Sequence, residues 1–216
     1  MDVRRTKKFW DRSARSYDKS ETQFEQIYVS MLQKTKQYIR QGDHILDFAC
    51  GTGIQAMALA GDAGKITGID ISEKMIEIAR EKAVREKIAN IHFETLTLDD
   101  KSLEPQSFDV VLAFNILHLL ENRRESLRTI HHLLKKDGLL LSATPCLKEK
   151  SAGYMYAYFF FARMMTKTGL LPISLKSFSS AELDQLLSSS GFEILDTEIF
   201  YDKISNVFVV AKKRNA

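Results

Sequence analysis

The chain has 216 residues, 44% hydrophobic and 27% charged, with a net charge of +3. These are ordinary globular proportions, and the length suits one domain over residues 1–216 built on a single substantial core. So small a basic excess does not point to a nucleic-acid partner, and two cysteines, Cys50 and Cys146, are too few for a disulfide framework or a zinc site, so no metal is expected.

The first 40 residues read as an N-terminal helical cap. Its basic run, Arg4-Arg5-Thr6-Lys7-Lys8, reads as a solvated terminus. No N-terminal stretch has the charged-then-apolar shape of a signal peptide, so a reducing, cytoplasmic location is expected. Phe9, Trp10 and Tyr17 follow, either pinning a helix to the core or, for Tyr17, lining a site.

From about residue 43 the pattern alternates. Strand-like runs occupy 43–48, 65–70, 90–95, 108–114 and 138–144. Ser72 caps a helical pattern to about Ile88, with Met75, Ala79 and Ala83 on one face. A later helix places Leu127, Ile130 and Leu134 together and stops before Gly138. Alternation of this kind implies a parallel sheet covered on both sides, with ligands at the carboxyl ends of its strands.

Residues 151–178 form an aromatic-rich insertion. Six of the 21 aromatic residues lie between Tyr154 and Phe161, which suits a lid over an apolar ligand, a dimer or core face, or a membrane-surface contact. The apolar stretch is too short to span a bilayer, which takes about 20 residues. Its only nearby basic residues are Arg163 and Lys167, few for an interfacial helix. Ser179-Ser180-Ala181-Glu182 is a capping box before Leu183, Leu186 and Leu187, and Gly191 ends that helix. Residues 192–195 and 206–211 then read as a closing antiparallel hairpin.

The chemistry concentrates at residues 47–53, Asp-Phe-Ala-Cys-Gly-Thr-Gly, between the first strand and the next helix. Two glycines let the backbone turn sharply and approach a ligand, and the helix start behind them offers unpaired N–H groups. Asp70, ending the second strand, stands where an acid binds the hydroxyls of a ribose. Gly51-Thr52-Gly53-Ile54-Gln55-Ala56 also matches the nicotinamide fingerprint. Asp47 opposes that reading, because a carboxylate there repels a pyrophosphate and suits a cationic ligand.

Asp47-x-Ala49-Cys50-Gly51-Thr52-Gly53 resembles motif I of the class I S-adenosylmethionine-dependent methyltransferases. Gly68-Ile69-Asp70-Ile71-Ser72-Glu73-Lys74-Met75 is similar to the family's second motif, residues 107–118 to its fourth strand, residues 134–141 to its fifth-strand loop and residues 206–213 to its last strand. Lys136-Asp137 stands where the family often has Pro-Gly, and the third motif matches only loosely at residues 95–100. Phe9-Trp10-Asp11 through Tyr17-Asp18 resembles the N-terminal segment of small-molecule members. The resemblance implies an α/β, doubly wound, mostly parallel seven-stranded Rossmann-like sheet with a C-terminal antiparallel hairpin. It implies S-adenosylmethionine as cofactor and S-adenosylhomocysteine as product. Asp47, Ala49, Gly51 and Gly53 would hold the methionine end, Asp70 the ribose, and Ile71, Met75 and Leu98 the adenine. Tyr17 and Asn115 would lie near the methyl.

Methyl transfer needs alignment of donor and acceptor more than an acid–base apparatus. His118, just after the fourth strand, is the candidate catalytic base; alternatively it simply packs or bonds a backbone carbonyl. His131 and His132, on a helix away from the strand ends, are expected to be surface or packing residues. The acceptor is expected to be a small, partly apolar molecule, and the protein a monomer or homodimer. The rivals are a nicotinamide dehydrogenase, a cofactor-binding protein without turnover, and a methyltransferase of RNA, DNA or protein. No Asn-Pro-Pro-Tyr or Asp-Pro-Pro-Tyr signature supports the last.

Overall fold

The computed structural model describes residues 3–150 and 152–215. Two helices, α1 (Val3–Glu21) and α2 (Glu25–Lys36), form the N-terminal cap. Then follow β1 (His44–Phe48), α3 (Ile54–Leu59), β2 (Lys65–Asp70), α4 (Glu73–Arg85), β3 (Ile91–Thr95), β4 (Phe108–Phe114), α5 (Arg123–Leu133) and β5 (Leu134–Pro145). The chain closes with α6 (Gly153–Lys167), α7 (Ser180–Ser188), β6 (Phe192–Tyr201) and β7 (Ser205–Lys213).

The seven strands lie in the order β3-β2-β1-β4-β5-β7-β6. The first five are parallel, and β7 pairs antiparallel with both β5 and β6. Chain order reverses between β1 and β4, so a crevice opens beyond Phe48 and Phe114, where ligands of such sheets bind.

Side chains alternate across each strand, which explains the near-continuous apolar runs of a sheet covered on both faces. Leu46, Val111, Ala113 and Val209 pack on one face with Leu127 of α5 and Leu183 and Leu187 of α7. Ile45, Val110, Leu112 and Val210 pack on the other with Met31 of α2, Leu59 of α3 and Ile76 of α4. Phe208 is fully buried in that second layer. Truncating such a phenylalanine to alanine costs about 3–5 kcal/mol.

The caps are as the residues predict. Ser72 Oγ accepts from the Met75 N–H at 3.2 Å. Ser179 Oγ accepts from the Glu182 N–H, and Glu182 Oε2 accepts from the Ser179 N–H at 2.9 Å. Two glycines have a packing reason. A Cβ on Gly68 would lie 2.5 Å from Phe93 Cδ1, and one on Gly53 would lie 2.6 Å from Phe93 Cζ. The ring therefore fills the space that both side chains would need.

Two boundaries differ clearly from expectation: β6 continues to Tyr201 rather than ending at 195, and β5 begins at Leu134 rather than at 138. Leu134 does not extend the helix of Leu127 and Ile130; it opens β5 and pairs with Phe108. The register then shifts, Val110 pairing with Leu139, and Asp137 lies in the irregular stretch between at φ +62°. The insertion also differs from a packed element, because α6 has no buried residue.

Candidate active site

The loop after β1 is built for a ligand's approach. Ala49, Gly51 and Gly53 have φ of +60°, +54° and +78°. The Gly51 N–H donates to Asp70 Oδ2 at 3.1 Å, and the Ser72 N–H donates to Asp70 Oδ1 at 2.8 Å. The Cys50 N–H donates to the Ile69 carbonyl. These bonds tie the β1 loop to the end of β2. An ionised carboxylate has about four acceptor positions. The Ile71 N–H also acts on this carboxylate, which leaves Asp70 about one acceptor position for a ligand hydroxyl.

Asp47 is 3% exposed, and its Oδ2 has no hydrogen-bond partner. Desolvation, and then the charge of Asp70, pushes its carboxyl up to about 7. A buried anion without a partner is costly, and a cation placed beside it offsets that cost.

Helix α1 lies across this loop. Asp11 Oδ1 accepts from Ser72 Oγ at 2.7 Å and from the Lys74 N–H at 3.2 Å. Asp18 Oδ1 accepts from Thr52 Oγ1 at 2.5 Å, and the same carboxylate pairs with Lys82. Tyr17, between them, faces Gly51: a Cβ there would stand 3.5 Å from its ring. Burial first, then Glu21, Asp70, Asp18 and Asp47, raises the Tyr17 hydroxyl far above its ordinary value. Four carboxylates thus act on one phenol. That field favours a cationic ligand and opposes a pyrophosphate.

A cavity of about 680 Å³ lies on the other side of Tyr17, between α1, α2, α6 and the end of β4. Phe9, Trp10, Phe24, Tyr158 and Phe159 give it aromatic walls. Glu21, Tyr28, Asn115 and His118 give it polar points. Asn115 Nδ2 donates to the Tyr28 hydroxyl at 2.9 Å, and that hydroxyl donates to Glu21. Burial raises the Glu21 carboxyl, against the opposing effect of the Tyr28 bond. Asn115 holds φ +53°, with its N–H on the Ala143 carbonyl at 2.8 Å. His118 is buried, and its Nδ1 has no partner. Desolvation lowers it to about 4, so it is neutral at pH 7.

The residues singled out from the sequence fall into three places. Asp47 lies near the end of β1, Ala49, Gly51 and Gly53 in the loop after it, and Asp70 at the end of β2 beside that loop, with Ile71 half-buried next to Asp70. The missing Cβ of Gly53 faces Phe93 rather than open space. Met75 is buried at the start of α4, and Leu98 is buried in the turn after β3, in the cluster that holds Phe48 and Ile69. Tyr17, Asn115 and His118 line the cavity. His131 packs edge-to-face on Phe192, as expected. Sequence reasoning missed Asp11, Asp18, Glu21 and Tyr28. Asp11 and Asp18 stand seven apart and thus on one helix face, a spacing that signals a shared contact. Glu21 and Tyr28 lie in different helices and carry no such signal.

The fold and this geometry have known counterparts. A family model described as a methyltransferase domain matches residues 39–190. The ubiquinone biosynthesis O-methyltransferase of Coxiella burnetii is 26% identical over 187 residues, covering 82% of this chain and 75% of that one. The ubiquinone/menaquinone biosynthesis C-methyltransferase of Campylobacter jejuni is 29% identical over 197 residues, covering 81% of each. A SAM-dependent methyltransferase structure from Methanosarcina mazei superposes with a TM-score of 0.69 at 22% identity, over 83% of this chain and 96% of that one, which is a likeness of fold. Helices α1 and α2, which carry Tyr17, Glu21 and Tyr28, lie outside the matched span.

Proposed function

Because the chain belongs to the methyltransferase-domain family and is a class I S-adenosylmethionine-dependent enzyme, we propose that it methylates a hydroxyl oxygen on a small aromatic, partly apolar acceptor seated in the 680 Å³ cavity. The cavity carries this reading: its walls are aromatic, Glu21, Tyr28 and Asn115 are joined by hydrogen bonds within it, and it meets the β1 loop through Tyr17. The name of the Coxiella relative, an O-methyltransferase, supports oxygen as the acceptor atom, and that of the Campylobacter relative, a C-methyltransferase, supports only the quinone-biosynthetic, small-molecule class of acceptor.

The donor set fits S-adenosylmethionine, which supplies an electrophilic methyl group when bound. In this proposal Asp47 balances its ammonium, and the backbone of Ala49, Gly51 and Gly53 receives its methionine end. Asp70 takes a ribose hydroxyl, and Ile71, Met75 and Leu98 frame the adenine. Tyr17 and Asn115 bound the place of transfer. Glu21 accepts the proton that the acceptor hydroxyl gives up, held in position by the Tyr28 and Asn115 bonds. A carboxylate raised by burial suits that task better than a His118 lowered to about 4. His118 instead hydrogen-bonds the acceptor as a neutral imidazole.

The test is product formation. S-adenosylhomocysteine release should appear with hydroxylated aromatic rings and rise when the ring bears an apolar chain. Transfer to RNA or polypeptide but to no small molecule would refute the acceptor class. Thermal stabilisation by S-adenosylmethionine without turnover on any acceptor would favour a binding protein instead.

A further inference from the structure

Helix α6 stands on the molecule's surface in an unusual way. Met155, Phe159 and Ala162 face the cavity. At 100° per residue the opposite arc carries Tyr156, Phe160 and Met164 together with Arg163 and Lys167. Tyr156 is 62% exposed, Phe160 54% and Phe161 64%. The helix has no acidic residue. No described helix is long and apolar enough to cross a membrane.

The fold adds cations that the sequence of α6 does not show. Beside its C-terminal end lies a second cavity of about 370 Å³, lined by Arg5, Arg163, Lys167 and Lys176, with Glu121 as its acid. Arg5 arrives from the other end of the chain, its guanidinium on the Gly169 carbonyl at 2.9 Å. An exposed aromatic stripe therefore ends in a group of four basic residues.

We propose that this face docks on an anionic lipid bilayer. Tyr156, Phe160, Phe161 and Met164 enter the boundary between headgroups and acyl chains, and the four cations meet the lipid phosphates. Charge decides between the bilayer and a second copy of the chain. Helix α6 carries no carboxylate, so a second copy docking through the same helix would offer the cations aromatic side chains or other cations and no anion. An anionic surface complements them, and its interior demands no hydrogen bonds from the aromatic stripe. The docking rests on this patch alone. Its consequence, that the acceptor cavity beneath α6 opens towards the bilayer, rests on the reading of that cavity given above.

The experiment is co-sedimentation of the full chain with vesicles of phosphatidylcholine alone, or with an equal share of phosphatidylglycerol. Binding is expected to the mixed vesicles, to weaken with salt, and to be slight on phosphatidylcholine. Each cation at an anionic surface strengthens binding about fivefold. Arg163→Glu with Lys167→Glu should therefore weaken it by at least about 25-fold. Phe160→Ser with Phe161→Ser should abolish pelleting. Both variants should keep the wild-type melting temperature and its rise with S-adenosylmethionine, because the altered side chains are exposed. Absence of pelleting with either vesicle, or unchanged pelleting of the variants, would overturn the proposal. A dimer in sedimentation velocity that the Phe160/Phe161 variant dissociates would overturn it in favour of a second copy. Loss of the cofactor response in the wild type would sink the catalytic reading instead and leave vesicle binding intact.

Discussion

Replacing Asp47 by asparagine should stabilise the ligand-free protein increasingly as pH rises, while removing its response to S-adenosylmethionine. The carboxyl titrates near 7 in the folded chain against a reference value of 3.8. With the folded value raised, the unfolded chain releases its proton first, so the wild type loses stability as pH rises from 3.8 through 7. Roughly three pH units correspond to about 4 kcal/mol at full ionisation. About 2 kcal/mol of this is lost by pH 5, and nearly all by pH 8. Asparagine carries no such charge. Its amide places a buried donor where Oδ2 has no partner, which costs about 1–3 kcal/mol at every pH. The difference between variant and wild type is therefore the clean readout, and it should move by about 2–3 kcal/mol in the variant's favour between pH 5 and pH 8. Urea unfolding of both proteins across that range measures it. Cofactor added to the wild type should erase the slope, because a cation beside Asp47 favours its ionised form. A difference that stays flat from pH 5 to pH 8 would refute the burial argument and the cation site built on it.

Three other substitutions test separate parts of the site. Asp70→Ala removes the acceptor of the Gly51 and Ser72 N–H groups; calorimetry should show adenosine-cofactor affinity lower by roughly 10–100-fold, the worth of a charged hydrogen bond, and unchanged affinity would exclude the ribose role. Glu21→Gln should leave the melting temperature near wild type and cut kcat by about 100-fold or more; full activity would remove Glu21 as proton acceptor. Gly68→Ala puts a methyl group 2.5 Å from the Phe93 ring. It should destabilise the fold by about 1–3 kcal/mol, with part recovered in the double variant carrying Phe93→Leu; equal stability of Gly68→Ala and wild type would show that the ring moves freely.

What the sequence by itself determined is what local backbone chemistry sets. The runs at 65–70 and 108–114 are strands to the residue, because an apolar stretch bounded by turn residues has one extended solution inside a covered sheet. The positions of Asp47, Gly51 and Asp70 were legible for the same reason: each stands at a strand end or in the turn beside it. The caps at Ser72 and Ser179 need only a hydroxyl three residues from an orphan N–H. Tertiary structure decided the rest. Asn115 reaches Tyr28 across 87 positions, and Arg5 reaches Gly169 across 164. No periodicity records such meetings. The 680 Å³ cavity is the space left where α1, α2 and α6 fail to close on β4, so it belongs to none of them singly. The aromatic run at 154–161 is equally consistent, as a sequence, with core, lid or surface. Only the placement of α6, with one arc over the cavity and the other towards solvent, sets the core reading aside.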